Sequence, residues 1–194
     1  MRCLLLMLAV ALLIWGVVGC QPERSEMPTM EENVIHLDLT PEEFREKWND
    51  YLERANVAGV IGKYRIEKLY VETDEKEYEH ASPYFSYAFD ERHGLFGEAD
   101  PADDLIRSVT LYSIPRTRAQ LAETIFLSGL FVATVNPDLD LDEADRVLDQ
   151  LGVSTEELAE GVRGSVSVGK IKYTVTLVLT VGQYQLRAKG IDSP

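Results

Sequence analysis

Cysteine is nearly absent from this chain. Its 194 residues contain two, Cys3 and Cys20, and none beyond position 20. Residues 21–194 can therefore hold no disulfide, no thiolate nucleophile and no cysteine metal ligand. Histidine is scarce too: His36, His80 and His93 are the only three. None has a histidine, cysteine or carboxylate partner at a recognised zinc spacing, so each reads as a solvated or loop residue. No metal or cofactor is expected. There is no Gly-x-Ser-x-Gly elbow and no phosphate loop. Gly59-Val60-Ile61-Gly62 reads as a turn before a strand, not a dinucleotide fingerprint. Basic residues are few: 19 Lys and Arg stand against 33 Asp and Glu, a net charge of −14. Such a chain repels phosphate backbones, which argues against a nucleic-acid partner. It should also repel anionic lipid head groups. The acidity itself is explained by solubility.

What is present begins at the N-terminus, MRCLLLMLAVALLIWGVVGC. Arg2 supplies a positive start, Leu4 to Val18 are uncharged and mostly apolar, and Gly19 precedes Cys20. This is the layout of an export signal. The apolar run is short of the ~20 residues that span a bilayer, and no basic cluster follows it. The tetrad Val17-Val18-Gly19-Cys20 resembles the lipobox of bacterial lipoproteins. The resemblance implies cleavage before Cys20, diacylglycerol on its thiol and a third acyl chain on its amino group. It also implies a domain held at the bacterial membrane, outside the cytoplasm. Two or more lipid chains anchor stably where one does not. Loss of Arg2 with the signal takes the net charge from −14 to −15. The expected organisation is a signal over 1–19, a tether over 20–36 and one domain over 37–194.

Helix signals are clear. Thr40, Pro41 and Glu43 form a capping box, and Phe44, Trp48, Leu52 and Ala55 recur at helical spacing. Thr117 with Gln120 opens a second helix, apolar nearly all round from Leu121 to Val135, that Asn136-Pro137 stops. Buried on most sides is the reading preferred to membrane insertion. Asp140 with Glu143 opens a third, Leu141–Leu151, closed by Gly152. Ser154 and Glu157 mark one more short turn.

Strands are expected over Tyr64–Val71, Tyr84–Asp90 and Leu105–Ile114, the last with Leu105, Val109 and Leu111 on one side. Gly94–Glu98 reads as a short strand at best. Ile171–Val181 alternates most strongly, Ser165–Val168 precedes it, and Gly182-Gln183 turns into Tyr184–Lys189. The fold class is α+β: an antiparallel sheet with helices packed mainly on one face, in the order helix–strands–helices–strands. That order is similar to small bacterial lipoproteins with a helix-on-sheet build, and more distantly to β-lactamase-inhibitor-protein modules. The similarity transfers no functional residue.

Candidate chemistry is sparse. Asp138, Asp140 and Asp142 match the first calcium-loop positions, but Glu143 stands where glycine is needed, and the capping box explains the same residues. Carboxylate pairs such as Asp103-Asp104 lie near helix starts or loops, with no sign of a cleft, so no catalytic residue is nominated. Strand parity predicts a hydroxyl-rich outer sheet face on which Tyr84, Tyr112, Thr176 and Arg187 form a candidate binding surface. An ordinary solvated sheet face is the plainer account of those residues. The expected function is a non-enzymatic binding module at the membrane, with lipid on Cys20 and a protein partner in the cell envelope. A carboxylate-dependent envelope hydrolase and a structural or assembly factor remain alternatives.

Overall fold

The computed structural model describes residues 35–55, 59–72, 83–153, 161–178 and 182–192. The signal, the lipobox with Cys20, nearly all of the tether, His80 and the Ser154–Glu157 turn lie outside them.

Among the described residues four helices and seven strands make an α+β fold. Helix α1 covers Pro41–Ala55 and a single helical turn, α2, covers Ile61–Tyr64. Strands β1 (Tyr70–Glu72), β2 (Tyr84–Ala88), β3 (His93–Ala99) and β4 (Ile106–Ser113) follow. Helices α3 (Arg118–Val135) and α4 (Leu141–Leu151) come next, then β5 (Arg163–Val168), β6 (Ile171–Val178) and β7 (Gln183–Gly190). One sheet contains all seven strands in the order β1-β2-β3-β4-β7-β6-β5, every pair antiparallel. The β4–β7 pairing joins two stretches far apart in sequence.

Capping chemistry sets the helix starts. Glu43 N–H donates to Thr40 Oγ1 at 3.2 Å, and Thr40 N–H donates to Glu43 Oε2 at 2.9 Å. The same reciprocal pair forms at Thr117–Gln120 and Asp140–Glu143. Gly152 closes α4 in the left-handed conformation, φ 72°, which glycine adopts without a Cβ penalty.

The core is one apolar cluster. Phe44, Trp48 and Leu52 of α1 meet Phe131 of α3 and Phe85, Leu95, Leu111 and Leu186 of the sheet. Phe44 lies 6.4 Å from the Phe85 ring and 6.4 Å from that of Phe131. Helix α3 is buried along its C-terminal half. Its buried hydroxyls are satisfied: Thr124, Ser128 and Thr134 each donate one turn back along the helix. Thr124 also bonds Ser113 of β4 at 2.7 Å, and Ser128 bonds the Tyr184 hydroxyl of β7 at 2.8 Å. Among the described residues no helix is long and apolar enough to cross a membrane.

Four sequence expectations are corrected. The strand expected over Tyr64–Val71 is mostly not one. Residues 61–64 are helical, and the backbone after them bonds to α1 rather than to a strand. Trp48 Nε1 donates to Tyr64 O at 2.8 Å, and the Asn49 amide takes both the N–H and the C=O of Ile66. Those groups are unavailable to a ladder, so pairing starts only at Tyr70.

Gly94–Glu98, conversely, lies within a full strand. Its glycines lie under aromatic rings: a Cβ on Gly94 would strike the Tyr112 ring and one on Gly97 the Phe85 ring. They are sites of close approach inside a sheet. In β4, a register shift opposite Glu98/Ala99 sets Ile106 in the core and leaves Leu105 half-buried.

His93 is not the solvated or loop residue expected, while His36 is in the loop before α1 but half-buried. His93 is 1% exposed, with Nδ1 2.9 Å from the Asp90 carboxylate. Its place at the start of β3 turns the ring inward against Tyr64. Burial opposes ionisation of Asp90, but the backbone N–H of Arg92 and the His93 ring outweigh it and hold that carboxyl below the usual range. His36 sits between two carboxylates, described below.

Candidate functional site

Strand register fixes which side chains share the face opposite the core. Three cross-strand rows run over it. The first is Tyr84, Glu98, Ser108, Lys189, Lys172 and Ser167. The second joins Tyr70, Ser86, Phe96, Thr110, Arg187 and Thr174. The third joins Ala88, Gly94, Tyr112, Gln185, Thr176 and Arg163.

All four residues nominated from sequence therefore stand on this one face. Tyr112 and Thr176 share a row, with Gln185 between them. Arg187 is in the adjacent row, and Tyr84 is at the far end of the first. They do not form one cluster. Tyr112 is half-buried because its ring lies across Gly94, and Thr176 is half-buried as well. Arg187 is exposed, with Nη2 donating to Ser108 Oγ at 3.1 Å. Ser108 is buried despite its outward parity.

Sequence reading found Tyr84 but missed the other exposed aromatics of the face. Tyr70 is 67% exposed, Phe96 47% and Tyr84 40%. Tyr84 and Phe96 stack at 5.4 Å with planes 22° apart. Exposed aromatics held against each other on one sheet surface are interface-forming material. Alternation within Tyr84–Ala88 gave Tyr84, but Phe96 was hidden because its glycine-flanked strand was undervalued.

The other end of the face is cationic. Arg163, Lys172, Arg187 and Lys189 are all exposed there. Among the described residues none of them forms an ion pair. Lys172 and Lys189 stand directly opposite each other, an unfavourable pairing of like charges. In a chain of net charge −14, this segregation is a property of the fold.

A second constellation gathers where residues 35–39 enter. His36 Nε2 lies 3.1 Å from Asp100 Oδ2, and Nδ1 lies 3.7 Å from Asp103 Oδ2. Their ligand-type atoms fall within 4.8 Å of one another, so a divalent cation could be held there. Arg107 Nη2 already donates to Asp100 Oδ2 at 2.7 Å and would compete with it. The backbone N–H of Ala102 and the Arg107 guanidinium hold the Asp100 carboxyl down at about 2. The arrangement pins the entering chain, and Leu37 N–H extends it by donating to Ile106 O at 2.8 Å. No sequence spacing pointed to it, because His36 and Asp100 are 64 residues apart.

Asp138, Asp140 and Asp142 line an open hollow of about 540 Å³ with Tyr51 and Arg54. Asp140 is engaged as a helix cap, its Oδ1 accepting from Glu143 N–H at 2.8 Å. Comparison of the chain with protein-family models, with curated proteins and with solved structures returns no match.

Proposed function

We propose that the chain is a membrane-anchored extracytoplasmic lipoprotein, attached through lipid on Cys20, that acts as a non-enzymatic binding module through the outer face of its sheet. In this reading residues 1–19 are the signal, 20–36 the tether and 37–194 the working domain. Helices cover mainly one face of the sheet, in the chain order helix–strands–helices–strands, with α2 part of the first connection. Support for that layering comes from burial. Leu95, Leu111 and Leu186 on one parity are fully buried, while Phe96 and Arg187 on the other are exposed.

The observation that carries the binding reading is the exposed, mutually stacked Tyr84–Phe96 pair with Tyr70 nearby. Large aromatics left in water on one surface favour burial against something else.

Two measurements test the proposal. Cys20→Ala should abolish palmitate incorporation; label retained by that variant overturns the anchor. A photo-crosslinking residue at Phe96 should give discrete adducts in intact cells, and the same group at exposed Asp145 on α4 should not. Equal labelling at both positions overturns the choice of face.

A further inference from the structure

We infer that the outer face of the sheet docks on an anionic phospholipid surface, with Lys172, Lys189 and Arg187 on the head-group phosphates and Phe96 and Tyr84 at the interface beside them. The inference rests on the lipid-anchored reading above and names the surface that the same face meets.

Net charge alone argues the reverse, since a chain at −14 should be repelled by anionic lipid. Distribution decides instead. At 0.1 M salt the Debye length is about 10 Å, so charges farther than that from the head groups are largely screened. A helix is itself about 10 Å thick, and carboxylates on the far side of one count for little. The charges that touch lipid first are those of the outer face. On its β5–β7 half they are Arg163, Lys172, Arg187 and Lys189, with no Asp or Glu among their partners in register. On the other half Glu98 lies 3.8 Å from Arg107.

The opposed Lys172 and Lys189 are a local conflict that the described residues do not resolve. A phosphate between them would resolve it, and the hydroxyls of Ser167 and Ser108 flank the pair in the same row. Aromatic rings next to basic residues match the interfacial layer of a bilayer, where an apolar ring body and a hydrated charge are both accommodated. Fifteen peptide steps lead from Cys20 to Ile35. Covalent geometry limits them to about 50 Å even when fully extended. A domain tethered at that length needs only weak affinity to remain docked.

Each Lys or Arg near an anionic leaflet contributes roughly fivefold to partitioning. The test uses the full lipidated chain carrying Phe96→Trp, reconstituted in brominated phosphatidylcholine vesicles with or without 30% phosphatidylglycerol. Quenching of the new tryptophan should appear with phosphatidylglycerol, be weak without it and fade at 0.5 M salt. Adding Lys172→Glu and Lys189→Glu, which leaves the opposed positions like-charged, should lower the docked-to-undocked ratio at least about 25-fold, with cooperative unfolding retained. Quenching indifferent to phosphatidylglycerol and to charge reversal overturns the inference. So does absence of quenching in every vesicle, which points the face to a protein partner. If the chain carries no lipid and fails to float with vesicles, the anchored reading itself has failed. If it floats without quenching, only the docking is lost.

Discussion

The two faces of the sheet differ along the same strands. Leu95, Leu111, Leu186 and Val175 are paired neighbours across four strands, and all are fully buried. One residue along, Phe96, Thr110, Arg187 and Thr174 form the adjacent row, and none is buried. Strand period alone separates them. The inner row does what apolar burial always does. The outer row is not a uniform solvated surface, because it divides into an aromatic end and a cationic end. An average over the whole chain, such as a net charge of −14, describes neither.

The comparison can be broken most sharply with one large ring from each side. Trp48 is fully buried, stacks 5.3 Å from Phe89 and donates to Tyr64 O. Trp48→Ala should destabilise by about 3–5 kcal/mol in denaturant unfolding, the range for an emptied aromatic site. Phe96→Ala, on the exposed side, should stay within about 1 kcal/mol. Similar values for the two would mean that Phe96 is covered.

A smaller effect is expected at acid pH. The Asp100 carboxyl is held at about 2, against an ordinary 3.8. Its folded pKa is depressed, so its contribution is fully present above about pH 4 and is lost as pH falls through 2. Asp100→Asn should flatten that part of the stability profile and leave neutral-pH melting less affected by salt. An unchanged acid limb would show that the His36–Asp100–Arg107 contacts do not govern it.

The smallest effect sharpens the reading of the cationic end. Lys172→Glu turns a like-charge cross-strand pair into an opposite-charge one. Thermal unfolding should report stabilisation of roughly 0.2–1 kcal/mol. Destabilisation would mean that Lys172 has a partner outside the described residues.

Much of the framework was legible because it is local. The Thr117–Gln120 and Asp140–Glu143 caps, the stop at Asn136-Pro137 and the alternation from Ile171 onward depend on residues a few positions apart. The misreadings came where distant groups override local preference. Tyr64–Ile66 has strand composition, but Trp48 and Asn49 take its backbone groups. Gly94–Glu98 reads as a short strand at best, but Tyr112 and Phe85 lie across Gly94 and Gly97 within a full strand. The candidate surface was half legible for the same reason. Parity within a strand placed Tyr84 and Arg187 outward, but that Lys172 faces Lys189 depends on register between strands.

By itself the sequence determined where the three long helices begin and end, which strand residues share a face, and that residues 21–194 hold no thiol chemistry. Those properties depend on neighbours within one turn or one pleat, or on composition alone. Only the tertiary structure decided that β4 lies beside β7, that His36 meets Asp100 and Asp103, and that exposed aromatics and exposed cations divide one face between them. Each needs contacts between residues many positions apart, and those contacts follow from the strand order in which a single core can close.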